Sequence, residues 1–405
     1  MNKTYFESNK KRDCTGCGAC ALICPQKCIK MIEDEEGFLY PKIDKTKCIK
    51  CNLCIKNCAN KNDKKDINER AFAVINKSNV QRENSSSGGF FYLLAEYVIN
   101  NNGVVFGVTF NEDLVAIHKY AVNMKQCKEF CGSKYVRSDL KDSFQQAEAF
   151  LKQDRIVLFT GTACQINGLK KYLKKDYNNL ILCDILCHAN PSPKVFKFYI
   201  KNLEIKNKKK VKNVLFRSKE NGWKNQTPII EYDDGSRKEE NSYFNAFVEE
   251  MINRQSCYYC QFASKRRISD ITIADFWKIE RVIPDMYDSK GVSLVSTNSY
   301  KGNQLFDIIK NKTKYKEVDY DLVCLFNHYN NVRQHLMRNI FFKQLANGTI
   351  NESNIIKKFN LYSKKSRIIN KIYRYERTAK RIIRIKRYEK RKRNRNSNNT
   401  YNKWV

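Results

Sequence analysis

The pattern that most restricts this chain lies in its first sixty residues. Cys14, Cys17, Cys20 and Cys24 form the run Cys-x2-Cys-x2-Cys-x3-Cys, and Cys48, Cys51, Cys54 and Cys58 repeat it. Nine of the 17 cysteines fall in this stretch. The first residues, MNKTYFESNK, lack the apolar core of a signal peptide. No apolar run approaches the ~18 residues that span a bilayer. A cytoplasmic protein is therefore expected, in a compartment where disulfides are rare. Cysteines in such number then point to a metal or a metal cluster.

The repeated run is the spacing of a bacterial two-cluster ferredoxin. Three closely spaced thiolates wrap three corners of a 4Fe–4S cube from one tight loop, and the fourth cysteine reaches the other cube. Cluster I is assigned to Cys14, Cys17, Cys20 and Cys58. Cluster II is assigned to Cys48, Cys51, Cys54 and Cys24. Gly16 and Gly18 let the first loop bend and bring amide N–H groups toward the sulfurs. Ala59 stands where the first run has Pro25, which removes no ligand. Cys28 is left over and reads as a small core residue. Paired zinc sites are the competing reading, but zinc favours Cys/His mixtures or paired hooks, and this region has no histidine.

At 405 residues and 42% hydrophobic content, two or three domains with a sizeable core are expected. The runs 71–75, 103–110, 155–161 and 179–187 have strand length and composition. Helical patterns alternate with them at 89–100, 164–175 and 193–203. The expected fold is an α/β (α+β) body with a predominantly parallel sheet, behind a small ferredoxin-like domain. The segment 229–240 reads as a hairpin with an Asp-Gly turn. The divisions are residues 1–62, a polar linker at 63–70, the body at 71–360 and a tail at 361–405. Residues 364–395 carry 16 Lys/Arg and two acids, Glu376 and Glu389, with isoleucines at roughly helical spacing. The tail is read as basic and helical, with the last dozen residues disordered.

Several body segments carry chemistry. NSSSGGF (84–90) precedes a helical pattern, and helix N-termini take anions. CGSKYVRS (131–138) sets Lys134 and Arg137 beside a glycine turn. FTGTACQINGL (159–169) runs strand–turn–helix and places Cys164 at a helix N-terminus, which favours thiolate. LCDILCHANPSP (182–193) repeats the design with Cys187 and His188. SCYYCQF (256–262) supplies the pair Cys257 and Cys260. Each has a plainer alternative: a capped helix, a solvated pair, buried thiols or a structural zinc, and a satisfied histidine.

Taken in order, SSGG, GSKYV, GTACQ, DILCHANPSP, FRSKENGW (216–223), CYYC, DITIADFW and the GVS segment (291–293) resemble the coenzyme F420 hydrogenase/dehydrogenase beta subunits. The resemblance runs from about 70 to 350. It implies an iron–sulfur flavoprotein oxidoreductase that passes electrons between clusters, FAD and a second redox partner or small molecule. Related bacterial proteins are associated with polysaccharide biosynthesis. By resemblance, Ser86, Ser87, Gly88, Gly89 and the Lys134 segment lie on FAD, and Cys164, Cys187, Cys257 and Cys260 hold a third 4Fe–4S cluster. His188 is the candidate titrating group at the catalytic site, and Lys134 the candidate stabiliser of anionic reduced flavin. Ala163, Ala189 and Ala274 depart from the family's usual residues. The last two bear on which acceptor binds, so use of the deazaflavin coenzyme does not follow.

Two other functions compete: an electron-relay subunit without catalysis of its own, and an enzyme using Cys164 and His188 as a nucleophile pair. Partners implied are a ferredoxin or a redox partner subunit. The basic tail adds an anionic membrane surface as a candidate, which would make the protein peripheral at the inner face. The formal charge of +34 first suggests nucleic acid, but the usual nucleic-acid modules are missing from the sequence. Three all-cysteine clusters would lower that charge by about six, and the tail holds a large share of the rest.

Overall fold

The computed structural model describes residues 3–60, 69–225, 227–327 and 329–401. Most of the expected linker therefore lies outside the described residues. The N-terminal region carries one hairpin, β1 (Ile29–Glu33) with β2 (Leu39–Ile43). The body holds β3 (Arg70–Asn76), β4 (Val104–Phe110), β5 (Ala116–Ala121), β6 (Val157–Thr162) and β7 (Leu180–Ile185). It continues with β8 (Val211–Ser218), β9 (Thr227–Tyr232), β10 (Arg237–Glu239), β11 (Ile271–Asp275), β12 (Ser293–Thr297) and β13 (Thr313–Val318). Eight of these form one sheet in the order β13-β3-β12-β11-β7-β6-β4-β5.

That sheet is mixed, not predominantly parallel. β11, β7, β6 and β4 run parallel, while β12, β3 and β13 on one side and β5 on the other are antiparallel additions. β3 is buried along almost its whole length, as its unbroken apolar run requires for a strand covered on both faces. Helix Phe90–Asn100 turns Phe90, Leu93, Leu94 and Val98 onto one face of the sheet. Helices Ser143–Lys152 and Ala163–Leu173 cover the other. The expected Asp-Gly hairpin is the antiparallel pair β9–β10, which with β8 makes a separate three-stranded sheet.

The ferredoxin-type region is clamped to the body. Gly168 faces Cys17 so closely that a Cβ there would sit 2.8 Å from the cysteine's own Cβ. Asn167 Nδ2 donates to the Ala59 carbonyl at 2.7 Å, and Gln261 Nε2 to that of Asn60 at 2.6 Å. Arg338 forks onto Glu36 at 3.0 and 2.6 Å, both residues buried. Removing one partner of such a pair strands the other charge and costs roughly 3–5 kcal/mol.

The final helix begins at Ile355 and reaches Tyr401. The sequence leads one to expect disorder over the last dozen residues. The structure instead continues the helix through most of them, and 402–405 lie outside the described residues. Ile355, Phe359, Tyr362 and Ser366 of its first turns are buried against the body. Among the described residues no helix is long and apolar enough to cross a membrane.

Candidate cluster and cofactor sites

The two N-terminal runs fold into the same loop. Gly16 and Gly18 adopt φ of 68° and 75°, and Lys50 and Asn52, at the matching places of the second run, adopt 54° and 59°. The left-handed turns are thus imposed by the loop, with or without glycine. Cys20 and Cys54 lie in the one-turn helices that follow. Burial pushes the Cys20 thiol well up, and Cys17, Cys14, Cys58 and Cys54 around it push the same way. Cys58 and Cys54 of the second run therefore both lie near Cys20 of the first. Cys54 is also pushed up, by burial and then by its neighbours Cys51 and Cys48. Cys28 is buried, but it is not an anonymous core residue. Its Sγ lies 3.4 Å from that of Cys24, a bond that pushes its pKa up to about 11, with Cys48 acting in the same direction.

Four further cysteines arrive from distant parts of the chain. Cys164 sits in the first turn of the helix after β6, whose start is held by Thr162 N–H donating to Gln165 Oε1 at 2.9 Å. Cys187 lies two residues past β7. Because β6 and β7 are parallel, with Thr162 opposite Ile185, their ends deliver both thiols to one edge of the sheet. Cys257 and Cys260 come from the turn at Gln255–Tyr259 and the residue after it. All four line a single cavity, together with Thr15 and Asn60 of the ferredoxin-type region. Burial pushes Cys187 well up, Cys257, Cys164 and Cys260 add to this, and Arg137 opposes it. Burial likewise pushes Cys260 up to about 12. Thiols so placed become thiolates only beside a compensating cation, which a metal core supplies. Among the described residues no three His, Cys, Asp or Glu meet closely enough for a single metal ion; the four thiols share the lining of one cavity.

Along the same sheet edge, past the ends of β4, β6, β7 and β11, opens a cavity of ≈ 390 Å³. This is where α/β sheets place ligands. Its walls include Phe91, Phe130, Tyr135, Phe247 and Trp277, with Ser86, Ser87, Lys134 and His188. The segment Leu186–Asn190 lines both this cavity and the thiol cavity. A second opening of ≈ 870 Å³ shares Ser85, Ser86 and residues 131–134 with it and is lined by Lys128, Lys212, Arg217, Lys219 and Lys290 against Glu83, Glu129 and Glu220.

The residues singled out in the sequence divide here. Ser86 and Ser87 are at the cavity wall, with Ser86 Oγ 2.9 Å from Ser133 Oγ. Gly89 caps the following helix with φ of 83°. Gly88 is not among the lining residues. A Cβ on it would lie 2.3 Å from the Val74 carbonyl and 2.5 Å from the Ser293 amide, so its place is the close approach between β3 and β12. Lys134 reaches the cavity, but its Nζ donates to the carbonyls of Glu129 and Cys131 at 2.7 and 2.8 Å. Burial lowers its pKa to about 8. His188 lies 3.9 Å from Glu250 Oε1 and edge-on to Phe247. Cys164 takes Arg137 and Thr162 as neighbours at 3.4 and 3.2 Å.

Two sequence signatures had no assigned role, and the structure joins them. Arg217, from FRSKENGW, forks onto Asp275, from ADFW, at 2.6 and 3.1 Å. Trp223 Nε1 donates to the same carboxylate at 2.7 Å and stacks on Trp277 at 5.3 Å. Lys219 Nζ donates to the Arg82 and Ser87 carbonyls. These bonds strap the serine–glycine loop to β8 and β11. Asp184 at the end of β7 pairs with Arg267 at 2.6 Å, both buried.

Comparison with known proteins follows the same division. Residues 154–322 match the family described as the C terminus of the coenzyme F420 hydrogenase/dehydrogenase beta subunit. Residues 13–62 match the 4Fe-4S dicluster domain. Residues 154–322 thus carry the C-terminal module of this beta-subunit family. The chain is an iron–sulfur electron-transfer protein of oxidoreductase type with a ferredoxin-type domain in front. The matched body segment contains Cys164, Cys187, Cys257, Cys260, Arg217 and Asp275, while Ser86, Ser87 and Lys134 precede it. A solved chain of the F420-reducing NiFe hydrogenase complex from Methanosarcina barkeri is similar over 71% of this chain and 89% of its own, at 14% identity and a TM-score of 0.43. No curated protein matches.

Proposed function

We propose that the protein is an iron–sulfur flavoprotein that carries electrons between two N-terminal 4Fe–4S clusters, a third cluster and FAD, and from there to a small molecule. One observation carries the reading: the segment Leu186–Asn190 forms a wall common to the four-thiol cavity and the aromatic cavity. On the other side of the thiols, the helix bearing Cys164 packs directly on Cys17. The donor set fits the third cluster: four thiols, two buried and two half-buried, line one cavity, with His188 on the wall shared with the aromatic cavity. The cavities fit FAD in kind. The aromatic one suits a flat ring system, and the basic one suits a pyrophosphate, with the serine–glycine loop and residues 131–134 where they join.

When bound, such groups supply single-electron transfer and its conversion to two-electron chemistry; the chain supplies position and exclusion of water. Lys134 holds its own loop through two carbonyls, so its first role is to shape the ring site. His188, beside Glu250, is the group at the shared wall able to hold a proton. A ferredoxin or partner subunit is the proposed donor or acceptor. A polysaccharide precursor is the substrate class proposed from the family resemblance. Anaerobic purification should give about twelve irons and one FAD per chain. About eight irons without flavin would reduce the proposal to a ferredoxin-type relay.

The tail adds a proposed surface. Ile368, Ile372, Tyr375, Ile382 and Ile383 fall on one face of the last helix and are each about half or more exposed, in a segment dense in Lys and Arg. That arrangement suits an anionic bilayer. The full chain should co-sediment with phosphatidylserine vesicles, and deletion of 364–405 should abolish this; unchanged sedimentation removes the membrane role.

A further inference from the structure

Six arginines are buried among the described residues: Arg82, Arg137, Arg217, Arg254, Arg267 and Arg338. Four of them meet a carboxylate at 2.6 Å, namely Asp288, Asp275, Asp184 and Glu36. Arg137 and Arg254 do not, among the described residues. Arg137 donates through Nη1 to Cys164 Sγ at 3.4 Å and through Nη2 to the Gly16 carbonyl at 3.1 Å. Arg254 donates through Nε to the Cys14 carbonyl at 2.9 Å and through Nη2 to that of Leu39 at 3.0 Å, with its guanidinium 4.1 Å over the Tyr40 ring. Its packing against Gly16 is tight, since a Cβ on Gly16 would lie 2.9 Å from Nη1.

Carbonyls and a ring face satisfy the donors of a guanidinium without cancelling its charge. An uncompensated buried charge is strongly destabilising, so two of them in one place call for negative charge nearby. Every sulfur and carbonyl they touch belongs to a cluster loop, Leu39 excepted. A 4Fe–4S centre with four thiolates carries about −2 when oxidised and one more negative charge when reduced.

We propose that Arg137 and Arg254 are the counter-charges of two centres and set the potentials at which they accept an electron. Arg254 serves the one on Cys14, Cys17, Cys20 and Cys58. Arg137, lying between the Gly16 loop and Cys164, serves chiefly the one on Cys164, Cys187, Cys257 and Cys260. The second half rests on the third cluster proposed above. Reduction takes one electron from an external donor and makes or breaks no bond in the protein. A fixed positive charge stabilises the more negative reduced state, so each arginine raises its centre's potential.

The test is an anaerobic redox titration of the full chain, followed by electron paramagnetic resonance, with iron counted in every sample. Arg137→Gln and Arg254→Gln should each lower the reduction constant of one centre about tenfold, which is about 59 mV for one electron. The centre on Cys24, Cys48, Cys51 and Cys54 should stay in place. Arg137→Lys and Arg254→Lys, which keep the charge and lose the fork, should leave the midpoints near those of the parent. Unshifted midpoints in fully loaded Gln variants overturn the proposal, as do Lys variants that shift as far as Gln variants. Should the Gln variants fail to assemble, the Lys midpoints decide alone: unshifted supports the proposal, shifted overturns it. About eight irons in the parent protein would instead remove the third cluster, and Arg254→Gln would then decide the remaining half.

Discussion

Cys187→Ser protein, purified without air, will hold about eight irons where the parent holds about twelve. Serine keeps the shape of the side chain but replaces a thiolate donor with a hydroxyl that stays protonated in a buried site. The thiol cavity draws its ligands from β6, β7 and the turn at 255–260, so no single loop can hold a cube there once a corner is gone. The eight N-terminal thiols belong to their own two loops and will keep their clusters. Cys183→Ala is the control. Cys183 lies on β7, the strand that leads to Cys187, is fully buried in the apolar core and is not part of the cavity, so its loss should leave the iron count intact. Retention of all the iron by Cys187→Ser would end the third-cluster reading. A shared fall in both variants would point to strand damage instead.

How far the sequence announced this site depended on how local each feature is. The N-terminal ligands were legible because a cube is wrapped by residues three apart, and the spacing is the geometry. Cys164 and Cys187 were visible as residues at strand ends, but nothing local says that Cys257, seventy residues later, reaches the same cavity. The parallel core was legible in strand–helix alternation. The antiparallel β12, β3 and β13 were not, because an apolar run gives burial and not direction. Gly88 carries a demand that the sequence did not show. A glycine beside serines reads as a ligand loop, yet its hydrogen is demanded by the Val74 carbonyl and the Ser293 amide. The Arg217–Asp275 strap was invisible, since an ion pair between residues 58 apart has no periodic signature.

Stability will fall steeply between pH 6.5 and pH 4, and two histidines will carry much of the loss. Burial pushes the pKa of both His118 and His335 down to about 4. Both are held as neutral rings by their hydrogen bonds. His118 Nε2 faces the Thr160 carbonyl at 3.1 Å, so it bears the proton. Its Nδ1 lies 3.1 Å from Ser138 Oγ, which in turn accepts from Gln165 Nε2; the serine hydroxyl must therefore donate to the ring. His335 holds the same tautomer, with Nδ1 accepting and Nε2 bearing the proton. Nδ1 accepts from the Met337 amide at 3.1 Å, and Nε2 lies 2.8 Å from Ser366 Oγ on the last helix. A second proton on either ring breaks one of these bonds, although Glu249, 3.9 Å from His335, favours the charged form and limits the loss there. A histidine whose folded pKa is depressed contributes fully above its unfolded value, near 6.5, and loses that contribution as pH falls toward the folded one. At pH 5 each would cost roughly 2 kcal/mol, about 4 kcal/mol together, a large share of ordinary domain stability. Urea unfolding of the parent and of a His118→Gln/His335→Gln double variant at pH 7.5 and pH 5 isolates the effect. The parent's midpoint should drop far more than the variant's, because acid loss from the clusters is common to both. Equal drops would mean that these rings are already charged, or exposed, in the folded protein.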